Sequence, residues 1–284
     1  MKRMTKFVFR GLVAAAILGA TIMGATALAG NPPPAKPGPV AVEPPTVTNP
    51  LTPMYAPFKW GMTHAEVAKA HNQTNGIFDT DYNPTLAKMQ PGVKMQALEA
   101  ERENKKTAFT ATYVEFKDTP TGYDQTAIKD EFTYKNKESV MYVDRAGRRR
   151  FFFYIGDRLW KIYDEVALGE QGAMGKNFSE VVTKLNASLG VAGRILAPDT
   201  AAGRTQTTVD WQDSGTHLRA VDRGPANCGV VVEDRSTLGN LAQLRANKPE
   251  DPLAMDPSIA AATRGVGRAD PNANKDAGKT APKK

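Results

Sequence analysis

Three histidines (His64, His71 and His217), one cysteine (Cys228) and the arginines Arg145, Arg148, Arg149 and Arg150 are the side chains of this 284-residue chain whose types and spacing invite chemistry. His64 and His71 stand two helical turns apart, so on one helix they share a face, where Asp79 or Asp81 could complete a metal site. Zinc sites built on one helix place their histidines four apart, as in H-E-x-x-H, and His64 falls in a first helical turn where a polar residue is ordinary. No metal is therefore expected. Asp79-Thr80-Asp81-Tyr82-Asn83 matches the opening ligand positions of a calcium loop, but Pro84 then stands where the sharp turn needs glycine and Gln90 where a bidentate glutamate should close the site. A loop with Asx turns explains these residues more simply. Cys228 opens the apolar run Cys228-Gly229-Val230-Val231-Val232 and reads as a small buried strand residue rather than a reactive thiol.

The arginines surround Gly147 and form the chain's basic cluster. Placed on a hairpin tip, Arg145, Arg148, Arg149 and Arg150 could grip an anionic partner such as a lipid head group or an acidic protein surface. The alternative is a solvated turn that blunts a sheet edge against aggregation. The sequence contains no G-x-S-x-G, Walker loop, H-E-x-x-H or S-x-x-K, so it offers no catalytic residue and no cofactor site. An enzyme whose catalytic residues are scattered along the chain is the competing reading.

The elements that would position these residues begin late. Residues 1–29 read as a secretory signal peptide: Lys2, Arg3, Lys6 and Arg10 precede an apolar run that closes on Ala27-Leu28-Ala29. A retained anchor is the alternative, but the run is short for a span. The mature chain is then exported, periplasmic or released, with no membrane span after cleavage. Residues 30–57 carry Pro32, Pro33, Pro34, Pro37, Pro39, Pro44, Pro45, Pro50, Pro53 and Pro57, a composition that predicts an extended spacer. Residues 248–284 read as a disordered tail. Of the formal charge of +7, four units lie in the first ten residues and a net two in the tail, so the rest is nearly neutral and no nucleic-acid partner is expected.

Gly61-Met62-Thr63-x-x-Glu66-Val67 and Gly175-Lys176-Asn177-x-x-Glu180-Val181 share a helix-start pattern. Thr63 and Asn177 can each accept from the N–H three residues on, while Glu66 and Glu180 reach back as in a capping box. Helices are predicted over 65–72 and 93–105, then strands from 107, over 128–134, 138–143, 149–155 and 158–166. Gly156-Asp157 makes a hairpin of the last pair. Residues 151–155, apolar on both faces, read as a central strand covered by helices. The second half repeats the order: a helix over 178–189 with Phe178, Val181, Val182, Leu185 and Leu189 as one stripe, then strands over 207–212, 217–221 and 228–233. A short closing helix is predicted over 238–246. The fold class is α+β, with halves at 58–170 and 171–247, each one or two helices followed by an antiparallel meander.

This order, with Gly61-Met62-Thr63-x-x-Glu66-Val67 opening a helix and Gly156-Asp157-Arg158-Leu159 joining two late strands, resembles the SmpA/OmlA (BamE-like) family of envelope proteins and the related tandem fold of β-lactamase inhibitor proteins. The likeness covers the first half well and the second in outline, where Lys176 and Asn177 replace the Met and Thr. The chain lacks the lipid-bearing cysteine of BamE. The resemblance implies a non-catalytic scaffold that binds another envelope protein. Its oligomeric state is left open.

Overall fold

The structure, a computed structural model, describes residues 43–247. The expected signal peptide, the start of the expected spacer and the expected tail lie outside the described residues. The fold is α+β, built on one eight-stranded antiparallel sheet with the order β1-β2-β3-β4-β8-β7-β6-β5. The strands are β1 (Val114–Glu115), β2 (Glu138–Arg145), β3 (Arg148–Ile155), β4 (Arg158–Ala167), β5 (Arg194–Leu196), β6 (Thr208–Gln212), β7 (Thr216–Asp222) and β8 (Asn227–Asp234). Two-residue loops drive the first meander. Ala146-Gly147 and Gly156-Asp157 each hold both residues at positive φ, 51° and 74° in the first and 56° and 58° in the second, the twist that closes a tight hairpin. At the centre β4 pairs with β8, from Lys161 opposite Glu233 to Ala167 opposite Asn227.

Because neighbouring strand residues face opposite ways, the sheet sorts its side chains into two layers. Phe152, Tyr154, Ile162, Trp211, Leu218 and Val232 face the helices α1 (Thr52–Tyr55), α2 (His64–Asn72), α3 (Ile77–Leu86), α4 (Val93–Ala111) and α5 (Phe178–Leu189), which contribute Val67, Phe78, Phe109, Val181, Leu185 and Leu189 to that core. Phe151, Phe153, Trp160, Tyr163, Val221 and Val231 form the second core, with Phe116, Ile128 and Phe132 laid over them. The strand over 148–155 is central, as expected, but helices cover one face and a turn segment the other.

Several sequence expectations are corrected. The connection expected between the first two helices contains α3, whose Phe78, Tyr82 and Leu86 are buried at intervals of four despite Pro84. The second helix runs on to Ala111, so no strand starts at 107; the hydroxyls of Thr107 and Thr110 bond back to the carbonyls of Glu103 and Lys106. The strand expected over 128–134 is a 3-10 turn, Lys129–Glu131, lying across the sheet with the ring of Phe132 stacked on Phe116 at 3.7 Å. The closing helix divides at Asn240 into α6 (Arg235–Gly239) and α7 (Leu241–Leu244). Residues 43–57, which composition assigns to the spacer, pack on the fold. Thr46 bridges Gln212 in parallel, and Leu51 is fully buried.

At the start of α2 the Thr63 Oγ1 accepts from the Glu66 N–H at 3.2 Å while the Glu66 carboxylate accepts from the Thr63 N–H at 2.8 Å. At the start of α5 the cap is one-sided. Asn177 Oδ1 accepts from the Glu180 N–H at 3.0 Å, but Glu180 accepts from the Lys176 N–H, at 2.9 Å, rather than from Asn177. Thr63→Ala and Asn177→Ala should each destabilise by about 1 kcal/mol, since each leaves helix-start N–H groups without an acceptor. The two losses should add to within about 0.5 kcal/mol, the helices sharing no partner at these ends. Urea melts of both variants and the double variant check this; an unmoved midpoint in either single variant would remove the role assigned to that cap.

Candidate functional site

The hairpin that carries the arginines is strained at its tip, where Ala146 sits at a φ of 51°. Each arginine is matched to carboxylate. Arg145 forks onto Asp81 of α3 at 2.6 and 2.7 Å, Arg149 onto Asp144 at 2.7 and 2.9 Å, and Arg150 onto Asp164 at 2.6 and 2.7 Å. Arg148 shares Asp164, at 3.2 Å, and burial lowers its pKa. Arg145, Arg148 and Arg149, with Asp81, Asp144, Phe78, Tyr82 and Lys105, line an open groove of ≈ 820 Å³ between the hairpin and the helices, and Arg150 lies outside it. Fork-to-fork pairs fix the guanidinium planes, so the groove offers ordered charges of both signs.

The two neighbouring histidines are not brought together. His64 Nδ1 meets Asp157 at 2.6 Å on the β3–β4 turn and its ring stacks on Tyr113. His71 is buried among Phe58, Phe78, Phe109 and Phe152, its Nδ1 on the Val67 carbonyl, and burial pushes its pKa down to about 4. Asp79 is held by Lys106 at 2.8 Å and Asp81 by Arg145. Among the described residues no group of three His, Cys, Asp or Glu could hold a metal ion. Cys228 is buried in β8, which pushes its thiol up to about 11.

A second cluster has no counterpart in the sequence reading beyond the presence of His217. On the face of β4, β6, β7 and β8 opposite the helices, apolar positions give way to Lys161, Asp210, His217, Arg219 and Glu233, and the 3-10 turn lowers Glu131 onto them. Lys161 Nζ donates to Glu131 Oε2 at 3.0 Å and to the Glu131 carbonyl. Arg219 binds both Glu131 and Glu233; Arg223 Nη2 reaches Glu131 Oε1 at 3.1 Å. Arg194 forks onto Asp210, and Arg245, just beyond α7, onto Glu138. The cluster floors a cleft of ≈ 370 Å³ walled by residues 203–206 and by Leu238 and Leu241. The clue in the sequence is charge at alternate positions of apolar strands, His217 and Arg219 on β7 and Glu233 near the end of β8, where a half-buried strand would expose them.

Burial alone would raise the pKa of Glu131, but the charges of Arg219 and Lys161 overcome it and hold the carboxyl at about 2. Glu233 is lowered in the same way by Arg219 and by the His217 hydrogen bond. For Lys161 burial outweighs its partners and lowers the ammonium pKa. His217 shows the reverse balance: burial would lower it, but hydrogen bonds to Asp210 at 3.4 Å and Glu233 at 3.0 Å raise it above 6.5. A raised folded-state pKa means stabilisation fully present below the unfolded value and lost as pH rises through the folded one. The stability difference between the wild type and His217→Gln should therefore shrink as pH is raised from 6.5 upward. Urea midpoints across that window test it, and a constant difference would contradict a charged His217.

Comparison with family models, with curated proteins and with solved structures finds no match.

Proposed function

We propose that this protein is an exported, non-catalytic binding module of the cell envelope, made of two helix-then-meander halves joined edge to edge at β4 and β8, and that a partner protein docks in the arginine groove. The observation that carries this reading is the set of forked pairs around the groove. Arg145 and Arg149, forked in advance onto Asp81 and Asp144, and Arg148, held at Asp164, meet a partner without losing side-chain freedom at the moment of binding. Arginine and tyrosine are also the residues that dominate protein interfaces, and Tyr82 lies in the groove among them.

The competing reading, an enzyme acting on an envelope polymer, needs an acid or base titrating near the working pH. Glu131 at about 2 and Cys228 at about 11 lie far from it, and His217, though raised above 6.5, has both ring nitrogens engaged, by Glu233 and Asp210. These placements favour binding.

A photo-crosslinking side chain at Ala167, exposed at the groove, should give a discrete adduct with one protein of an envelope extract. The same group at Lys94 on α4 should not, and Arg148→Glu should abolish the Ala167 adduct. Equal labelling from both positions, or none from either, would refute the proposed docking groove.

A further inference from the structure

The charged cleft on β6, β7 and β8 is separate from the arginine groove, and its hydrogen bonds are unevenly spent. A carboxylate offers about four acceptor positions, two on each oxygen. Those of Glu131 are all taken: Oε1 accepts from Arg219 and Arg223, Oε2 from Lys161 and Arg219. On Glu233, Oε2 accepts from both His217 and Arg219 while Oε1 accepts from Arg219. The donors are not exhausted. Among the described residues Arg223 donates through Nε and Nη2, and Arg245 through the same two atoms, which leaves the Nη1 group of each without an acceptor. Trp160, 1% exposed and in the cleft lining, has an indole N–H that is buried and bonds to nothing. With ion-pair partners included the formal charges balance: Asp130, Glu131, Glu138, Asp199, Asp210 and Glu233 face Lys161, Arg194, Arg204, Arg219, Arg223 and Arg245, before His217 is counted.

From this surplus of donors we infer that the cleft is a binding site for a small organic anion. Its carboxylate or phosphate would accept from the spare groups of Arg223, Arg245 and Trp160, and its body would lie against Leu196, Leu238 and Leu241. The cleft's ≈ 370 Å³ falls within the size of small-ligand sites. A neutral, donor-rich ligand is disfavoured because few acceptors remain to receive it. An anion supplies the acceptor that these N–H groups lack within the protein, and charge-assisted bonds of this kind are the stronger ones.

Titration calorimetry on the full-length chain with benzoate, phenyl phosphate and benzyl alcohol tests the inference, the three probes sharing a ring and differing in charge. At least one anion should bind with a Kd of about 1 mM or tighter, and the alcohol at least tenfold more weakly; whichever anion binds more tightly assigns the head group. Arg223→Gln should weaken the anion tenfold or more. Because Arg223 also holds Glu131, a second variant leaves the ion pairs alone: Thr205→Trp places bulk at the exposed mouth of the cleft and should weaken binding as much while the urea midpoint stays put. Failure of both anions to bind, equal binding of the alcohol, or undiminished binding in a folded Thr205→Trp protein would overturn the assignment. None of these outcomes bears on the partner groove.

Discussion

Glu131→Gln is expected to destabilise the protein by about 3–5 kcal/mol, measured as a shift in the urea midpoint at neutral pH. The reason is what remains rather than what is removed. Lys161, Arg219 and Arg223 converge on this carboxylate beneath the 3-10 turn, and glutamine leaves them buried with too little negative charge. Removing a cation as well should restore some of the loss, so Glu131→Gln with Lys161→Met should be more stable than the sum of the single changes predicts. The pH dependence follows. A carboxyl held at about 2 against an unfolded value near 4.5 contributes stability that is present above 4.5 and is lost as pH falls toward 2. The variant should lack that contribution to the acid slope. A loss under about 1 kcal/mol, or an unchanged acid limb, would mean that water rather than Glu131 satisfies the three cations.

A chain that begins at Phe58 is expected to be less stable than one that begins at Glu43 by about 3–6 kcal/mol, the burial of two aliphatic side chains at roughly 1.5–3 kcal/mol each. Val47 and Leu51 are those side chains, 9% and 0% exposed. The backbone of the segment is tied down as well. Val47 donates to the Gln212 carbonyl at 2.8 Å, Gln212 donates to Pro45 at 3.0 Å, and the Leu51 N–H reaches Asp213 Oδ2 at 3.1 Å. Its prolines explain how an extended stretch can hold this position, because a fixed φ lowers the entropy lost on docking. Urea melts of the two lengths decide, and equal midpoints would show that residues 43–57 add nothing to the fold.

The sequence was most legible where local rules suffice. Hairpins at Gly147 and Gly156-Asp157, the stripe of α5 and the cap of Thr63 each follow from a few adjacent residues. It was least legible where a distant surface decides. Residues 128–134 have the alternation of a strand, but Phe151 and Phe153 need a cover and the segment becomes that cover. Pro84 and the Asp-rich spelling of 79–83 conceal a helix that the spacing of Phe78, Tyr82 and Leu86 carries. The prolines of 43–57 conceal two anchoring aliphatics. The arginines were visible as a cluster, yet two of their carboxylate partners come from other elements, Asp81 on α3 and Asp164 on β4, and no spacing along the chain reveals such pairs. The charged cleft draws on residues from Glu131 to Arg245, each unremarkable in its own stretch.

The two ends of the described fold attach to opposite flanks of the sheet. Thr46 bridges the last residue of β6, and Asn247 exchanges hydrogen bonds with Asn136, shortly before the first residue of β2. Because alternate strands run in opposite directions, the end of β6 and the start of β2 lie along the same border, with β3, β4, β8 and β7 between them. Tension applied between residues 43 and 247 would thus run across the strands, along the hydrogen bonds, and not along the strand axes. Ladders loaded this way unzip bond by bond, whereas sheared ladders must all fail together. A protein tethered at both ends would act as a low-force extensible link, and single-molecule extension from those two residues would record stepwise lengthening in place of a single high-force rupture.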